Sequence, residues 1–241
     1  VHSKGLLFGI YTDRGSSTCA GRPGSEGFEE IDATTYADWG VDLVKEDSCN
    51  APDTAEAAVA GYGKMRDALN KTGRPMVFNL CGWHPWYAPI GAALGNSWRV
   101  NWDGQSWGAV VANAITTSRL GFYARPGAWN DPDFLLGSSM GAAAYLTTTQ
   151  SRMQFSLWSV LAAPLILGTK LLEISSYDLE TYMNEEVIEV NQDPLGVQGF
   201  PIFDNCPSQE QLLESTLGNI HHDDNFNFNF NNNNNNISII S

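Results

Sequence analysis

The stretch VDLVKEDSC, residues 41–49, joins a short apolar run to a group of polar residues and decides the predicted fold. Residues 41–45 are rich in valine and leucine, which predicts a buried strand. Because side chains alternate across a strand, Lys45 and Asp47 are expected on the same side. A polar group of this kind directly after a buried strand is typical of the functional end of a parallel α/β sheet.

Apolar runs of the same kind recur on both sides of this stretch, and most are followed by a helical pattern. Further strands are predicted at residues 6–11, 75–80, 98–100, 129–131 and 164–167. Helices are predicted at residues 29–39, 54–73, 107–120, 142–160 and 179–190, and a long loop at 81–96. Strands that alternate with helices in this way favour βαβ units and a parallel sheet.

We count six strand-then-helix units, with polar residues at several strand ends, and therefore predict an α/β chain built as a (β/α)8 TIM barrel. The competing architecture is a doubly wound sheet, which normally carries a Gly-rich phosphate loop after its first strand. The segment GRPGS, residues 21–25, lacks that spacing. We assign residues 1–199 to the barrel. Residues 200–241 are assigned to the start of a C-terminal region and an Asn-rich disordered tail.

The composition excludes some partners. The net charge is −14, with 27 acidic against 13 basic residues, and no Lys/Arg cluster is present, so a nucleic-acid partner is not expected. The sequence has no run of eighteen apolar residues, which argues against a membrane partner. Eight tryptophans and only 17% charged residues fit either an aromatic-lined cleft or a large core.

Two pairs of charged residues at strand ends are candidates for catalysis. Asp47 beside Lys45 would be held ionised, as a nucleophile must be, although a structural ion pair has the same spacing. Arg99 and Asp103 lie four residues apart after another strand. A hydrolase needs a second carboxyl group that first gives a proton to the leaving oxygen and then takes one from water. A helix-start aspartate beside an arginine is the plainer interpretation of this second pair.

Three motifs carry a resemblance to a known family. They are KEDSC at residues 45–49, WNDPD at 129–133 and VNQDPLGVQG at 190–199. Together they resemble glycoside hydrolase family 27, the eukaryotic α-galactosidases, and the match runs almost unbroken from residue 1 to about residue 199. The family fold is a barrel whose first strands, with a Trp and an Asp-Asp pair, have no counterpart here, so we expect an incomplete barrel with its first two strands absent.

The resemblance implies a retaining glycoside hydrolase that releases terminal α-D-galactosyl residues by double displacement. Asp47 matches the family nucleophile and Asp103 the acid/base. Residues that match sugar-binding or pocket-lining positions are Tyr11, Lys45, Cys81, Trp83, Arg99 and Asp133. Cys19 and Cys49 match a family disulfide. We expect no metal and no cofactor. The carboxylates of Asp131 and Asp133 could in principle bind a hard cation.

One departure from the family bears on specificity. Many relatives have Cys-Glu-Trp where this chain has Cys81-Gly82-Trp83, and in them the glutamate binds the 2-hydroxyl of the sugar. An α-N-acetylgalactosaminidase, a β-L-arabinopyranosidase and an inactive carbohydrate-binding fragment therefore stay open as alternatives. The expected partner is a galactose-containing oligosaccharide or glycoconjugate, a homodimer is left open, and the expected location is secreted or lysosomal.

Overall fold

The computed structural model describes residues 1–138 and 146–202, and a five-stranded parallel sheet lies at its centre. The strands are Gly9–Asp13 (β1), Leu43–Asp47 (β2), Val77–Leu80 (β3), Ser97–Arg99 (β4) and Trp129–Asp131 (β5). Their order in the sheet is their order in the chain, as in the wall of a (β/α) barrel. A doubly wound sheet would reverse its strand order at a switch point, and this sheet does not.

Seven α-helices are described. They are Glu29–Asp38 (α1), Ala55–Lys71 (α2), Ala88–Leu94 (α3), Trp107–Ser118 (α4), Thr148–Val160 (α5), Ser176–Tyr182 (α6) and Glu185–Asn191 (α7). Short 3-10 turns cover His2–Lys4, Pro85–Tyr87, Gly121–Tyr123 and Leu171–Glu173. The helix starts follow local chemistry: the Thr54 hydroxyl accepts from Ala57 N at 3.2 Å, and Thr147 and Gln150 form a capping box at α5.

Strand alternation separates a core face of the sheet from a polar face. Val44, Phe78, Leu80 and Trp98 point towards the helices and are at most 3% exposed. The residues between them form the other face, and the register places Tyr11 beside Lys45 and Arg99 beside Asp131. All charged candidates on the strands therefore lie on one face, near the carboxyl ends.

The motif at residues 190–199 supports the sheet from outside. Gln198, which is 5% exposed, accepts from Asn130 Nδ2 at 3.0 Å and donates to Thr117 O at 2.6 Å. Asn130 in turn accepts from Trp98 Nε1 at 2.8 Å. This chain of buried hydrogen bonds fixes the strand that carries Asp131 against α4 and β4.

Several predicted elements are corrected. Residues 6–8 were predicted to be part of a buried strand, but β1 begins at Gly9, and Leu6 and Leu7 are 62% and 80% exposed. Residues 164–167 form no strand, and only an isolated bridge joins Leu135 to Leu167. The loop predicted at 81–96 contains the helix α3. Pro89 does not prevent this helix, because it lies in the first turn, where a helix tolerates proline.

The last predicted helix is two helices. Asn184 stands between α6 and α7, and its Oδ1 accepts from Val187 N at 3.0 Å, which caps a new helix. The predicted start of the helix at residue 142 and most of the predicted region at 200–241 lie outside the described residues. In the part of the chain that the structure describes, no helix has the length and apolar character needed to cross a bilayer.

Candidate active site

Asp47 lies at the end of β2, and its carboxylate is held from two directions. Oδ2 accepts from the Tyr11 hydroxyl at 2.8 Å, and Oδ1 accepts from Ser48 N at 2.9 Å. Asp47 is 8% exposed, whereas Tyr11 is 43% exposed. Burial raises the pKa of Tyr11, and the hydrogen bond to Asp47 raises it further, so the phenol remains a donor. The arrangement keeps a carboxylate oriented in a half-open recess.

A disulfide closes the recess beside Asp47. Cys19 and Cys49 are bonded, with their Cα atoms 5.1 Å apart, which confirms the predicted pair. The Cys19 sulfur lies 3.3 Å from Asp47 Oδ2. The bond ties the loop after β1 to the chain that leaves β2, so the nucleophile candidate sits between two covalently joined segments.

Asp13, a polar residue that follows the predicted strand at 6–11, supports this junction. Its carboxylate accepts from Gly15 N at 2.8 Å and from Cys49 N at 2.9 Å. Burial raises the pKa of Asp13 to about 6, and the neighbouring Asp47 raises it too. Its place beside Asp47 at the end of a predicted parallel strand was a usable signal.

Lys45 does not form the ion pair that the sequence suggests. Among the described residues, no carboxylate lies within 4.0 Å of its ammonium group, which instead lies 4.3 Å from the centre of the Phe134 ring. A cation over an aromatic face is a stable arrangement that leaves ammonium protons unpaired. The alternative of a structural Lys45–Asp47 ion pair is therefore wrong, although both residues lie on the polar face as predicted, because the lysine reaches across that face towards Phe134.

Arg99 is the central cation of the site and lies between two carboxylates. Its Nη1 is 2.9 Å from Asp133 Oδ1 and its Nη2 is 3.2 Å from Asp103 Oδ1. The arginine side chain is 2% exposed, while that of Asp103 is 57% exposed. Asp103 Oδ2 accepts a longer hydrogen bond from Gln105 Nε2 at 3.4 Å. Asp103 is thus oriented by Arg99 and still open to solvent, which suits a group that exchanges protons with a ligand and with water.

Asp133 and Asp131 belong to the same hydrogen-bonded group but differ in their partners. Asp133 Oδ2 accepts from Gly104 N at 2.7 Å. Burial raises the pKa of Asp133, and Arg99 opposes that shift. Asp131 accepts from Asn79 Nδ2 at 2.9 Å and from Asp133 N at 2.8 Å. Asn79, on β3, was not predicted, because an amide within a buried strand gives no sequence signal.

Cys81 lies beside Arg99 on the polar face of the sheet. It is 2% exposed, and its sulfur is 3.7 Å from Arg99 Nη1. Burial raises the pKa of this thiol, which keeps it protonated and makes it a poor nucleophile. Cys81 is therefore a wall of the recess, with Asp47 on one side and Arg99 on the other.

Gly82 has no room for a side chain. A Cβ there would lie 2.0 Å from ring atoms of Tyr87, a fully buried residue. The Tyr87 ring therefore fills the space that a side chain at position 82 would need. Trp83 follows with φ of 63°, in the left-handed region, and stacks on Trp102.

The structure gives little support to a metal site at either group of acidic residues. One group of possible ligand atoms, all within 4.8 Å of one another, belongs to Asp13, Asp47, Cys19 and Cys49. The two cysteines are bonded to each other in the disulfide, so neither can bind a metal as a thiolate. Asp131 and Asp133 are bound to Asn79, Gly104 and Arg99. Protein groups therefore hold most of their oxygens.

Comparison with known proteins relates most of this chain to one protein family. The family profile described as alpha galactosidase A matches residues 1–193. The alpha-galactosidase A of Cellvibrio japonicus is 40% identical over 220 residues, which is 85% of this chain and 52% of that protein. Human alpha-galactosidase A is 42% identical over 215 residues, covering 84% of this chain and 48% of the human protein. The chain thus spans about half the length of these relatives.

A solved structure shows the same fold. The α-galactosidase of Saccharomyces cerevisiae, determined with raffinose, matches with a TM-score of 0.73 and 29% identity. The match covers 87% of this chain and 52% of the yeast chain. Together with the sequential parallel sheet, it confirms the prediction of part of a (β/α)8 barrel.

Proposed function

Because the chain belongs to the alpha galactosidase A family, we propose that it is a retaining glycoside hydrolase that releases terminal α-D-galactosyl residues. One observation carries the proposal: a buried, oriented carboxylate at Asp47 and a solvent-open one at Asp103 belong to one polar face. Cys81 and Arg99 connect them. Retaining enzymes use such a pair with the carboxyl groups about 5–5.5 Å apart.

In the first step, an oxygen of Asp47 forms a bond to the anomeric carbon while the bond to the leaving oxygen breaks. Asp103 gives its proton to that oxygen, and the sugar remains covalently attached to Asp47. In the second step, water attacks the same carbon, Asp103 takes the proton of the water, and the bond to Asp47 breaks. Two inversions at one carbon release α-galactose, so the configuration is retained.

The other predicted residues receive roles in binding. Tyr11 holds Asp47 and is exposed enough to reach a ligand. Lys45 has ammonium protons that no described carboxylate accepts. Arg99 and Asp133 position Asp103 and the loop at Gly104. Trp83 and Cys81 line the recess. These groups offer the hydrogen-bond donors and acceptors that a galactosyl group requires.

The substrate would be a galactose-containing oligosaccharide or glycoconjugate, and no cofactor takes part. Raffinose in the related yeast structure supports a galactoside ligand. A secreted or lysosomal location is supported by the Cys19–Cys49 bond, because disulfides persist in oxidising compartments. A homodimer stays a prediction.

The test measures hydrolysis of a chromogenic α-galactoside by the wild-type chain and by Asp47→Asn, Asp103→Asn and Asp38→Asn variants. Asp38 is an exposed aspartate at the end of α1 and serves as the control. We expect Asp47→Asn to abolish turnover, and Asp103→Asn to lower it by about 100- to 10,000-fold, the usual contribution of a positioned acid/base. Asp38→Asn should match the wild type.

The stereochemistry of the first product separates this mechanism from its rivals. Proton NMR during early turnover should show α-galactose before mutarotation. A β-galactose product, or full activity of Asp47→Asn, would contradict the proposal. Parallel assays with an α-N-acetylgalactosaminide and a β-L-arabinopyranoside test the two alternative glycosidase activities. Sugar binding without turnover would identify an inactive carbohydrate-binding fragment.

A further inference from the structure

Trp102, the residue before Asp103, stacks on Trp83 and has no part in the mechanism above. Trp102 stacks on Trp83 with the ring centres 5.4 Å apart and the planes 17° from parallel. Trp102 is nevertheless 60% exposed, so Trp83 covers one face of its ring and much of the remainder meets solvent. The two rings thus present an aromatic surface to solvent, and such surfaces suit ligands that have both apolar faces and polar edges.

The backbone presents this ring firmly. Trp102 N donates to Asn101 Oδ1 at 2.9 Å, and Trp102 O accepts from Asn113 Nδ2 at 3.0 Å. Asn113 is 2% exposed, so one of these anchors is in the core. Trp83 adopts φ of 63°, a conformation that is costly for a residue with a Cβ and is found most often at ligand sites.

A polar rim accompanies the two rings. The His84 ring stands edge-on to Trp102, with centres 6.0 Å apart and planes at 73°. His84 Nε2 lies 3.0 Å from Asp53, and both side chains are partly exposed. An apolar face with hydrogen-bonding groups at its edge matches a pyranose, which carries C–H groups on its faces and hydroxyls around its rim.

We propose that Trp102 and Trp83 form the binding site for the leaving sugar, a second pyranose attached to the galactosyl group. This inference rests on the proposed function, in which Asp103 protonates the leaving oxygen. Because Trp102 is the residue directly before Asp103, the stacked pair is close in the chain to the group that protonates the leaving oxygen, where a leaving sugar would have to bind. His84 and Asp53 would bind hydroxyls of that second sugar.

The test compares two substrates that share the galactosyl group. α-Galactosyl fluoride has no second sugar, whereas an α-(1→6)-linked galactosyl-glucose disaccharide has one. In Trp102→Ala, we expect kcat/KM for the disaccharide to fall about tenfold further than kcat/KM for the fluoride, mainly through KM. Trp102→Phe should restore most of the loss. Trp39→Ala, which removes a tryptophan that is 62% exposed at the end of α1, is the matched control and should change neither value.

An equal effect of Trp102→Ala on both substrates would overturn the inference while leaving the proposed function in place. If the wild type hydrolyses neither substrate, the proposed function fails. The sugar-binding site at Trp102 and Trp83 is then tested by binding alone. In that case calorimetry with Asp47→Asn and with Asp47→Asn/Trp102→Ala measures the affinity for the disaccharide. Weaker binding by the double variant supports a sugar-binding site at Trp102 and Trp83, and equal binding or no binding by both variants refutes it.

Discussion

At the scale of single residues, the contact between Gly82 and Tyr87 is the most demanding in the site. Gly82→Ala would push a Cβ into the Tyr87 ring, which is fully buried and stacked on Trp86. We expect the free energy of unfolding to fall by about 1–3 kcal/mol, as is usual for overpacking. Urea denaturation measures this change.

A second glycine provides the control. Gly63 lies inside α2, and the nearest atom to a Cβ there is 3.9 Å away. Gly63→Ala should therefore raise the free energy of unfolding by about 0.5–1 kcal/mol, because alanine restricts the unfolded chain and favours a helix. A Gly82→Ala protein with the urea midpoint of the wild type would show that Tyr87 has space to move.

The sequence indicated which residues form the site more successfully than how they contact each other. Asp47, Arg99 and Asp103 stand at or after the ends of buried strands. Strand alternation places Asp47 and Arg99 on one face, and Arg99 holds Asp103 beside it. Their partners depend on side-chain reach across the sheet. Periodicity carries no information on that reach, which is why Lys45 was predicted beside Asp47 and is found over Phe134.

At the scale of elements, the Cys19–Cys49 bond closes a loop of about thirty residues that includes α1. The double variant Cys19→Ala/Cys49→Ala should lose about 3–4 kcal/mol of stability in the chain-entropy model. Guanidinium denaturation of both proteins, with and without reductant, measures the loss. Reductant should destabilise the wild type and leave the double variant unchanged. If reductant also destabilises the double variant, the loss of stability comes from a cysteine other than Cys19 and Cys49.

Helices with regular periodicity and clear caps were the most predictable elements. Residues 54–73 were predicted as a helix, and α2 covers Ala55–Lys71 with Thr54 as its cap. α3 was missed because Pro89, Gly91 and Gly95 resemble loop punctuation, although Pro89 stands where a helix accepts it. β5 was predicted at its observed bounds, whereas 164–167 has the composition of a strand but only one bridge.

At the scale of the whole molecule, acidic groups dominate, with a net charge of −14, and one of them is buried behind the site. Glu46 is fully buried on the core face of β2, and no described residue hydrogen-bonds either of its carboxyl oxygens. Burial raises the pKa of Glu46 well above its usual range, the neighbouring Asp13 and Glu29 raise it further, and Arg14 opposes them.

This raised pKa predicts that Glu46 contributes more to stability in acid than at neutral pH. The folded state holds the Glu46 proton more tightly than the unfolded state, so its contribution is complete below about pH 4.3 and is lost as the pH rises through the folded pKa. Asp13, with a pKa of about 6, acts in the same direction. Glu46→Gln should therefore be more stable than the wild type at pH 7, and this advantage should shrink towards pH 4.

Denaturant midpoints between pH 4 and pH 7 test this expectation. Glu56→Gln, which changes an exposed glutamate in the first turn of α2, is the control and should keep the wild-type pH profile. If the difference between wild type and Glu46→Gln does not vary with pH, the Glu46 carboxyl ionises in the folded protein as freely as in the unfolded one.

The strand order of the sheet bears on how the protein is made. Each strand pairs with the one that precedes it in the chain, from β1 to β5, so a nascent chain that leaves the ribosome can add each strand to an edge already formed. No pairing has to skip a strand that has yet to be made, so each loop that closes is as short as a parallel connection allows, which limits its closure entropy. Asp47 and Arg99 would be aligned on that growing edge one after the other, in the order of their translation.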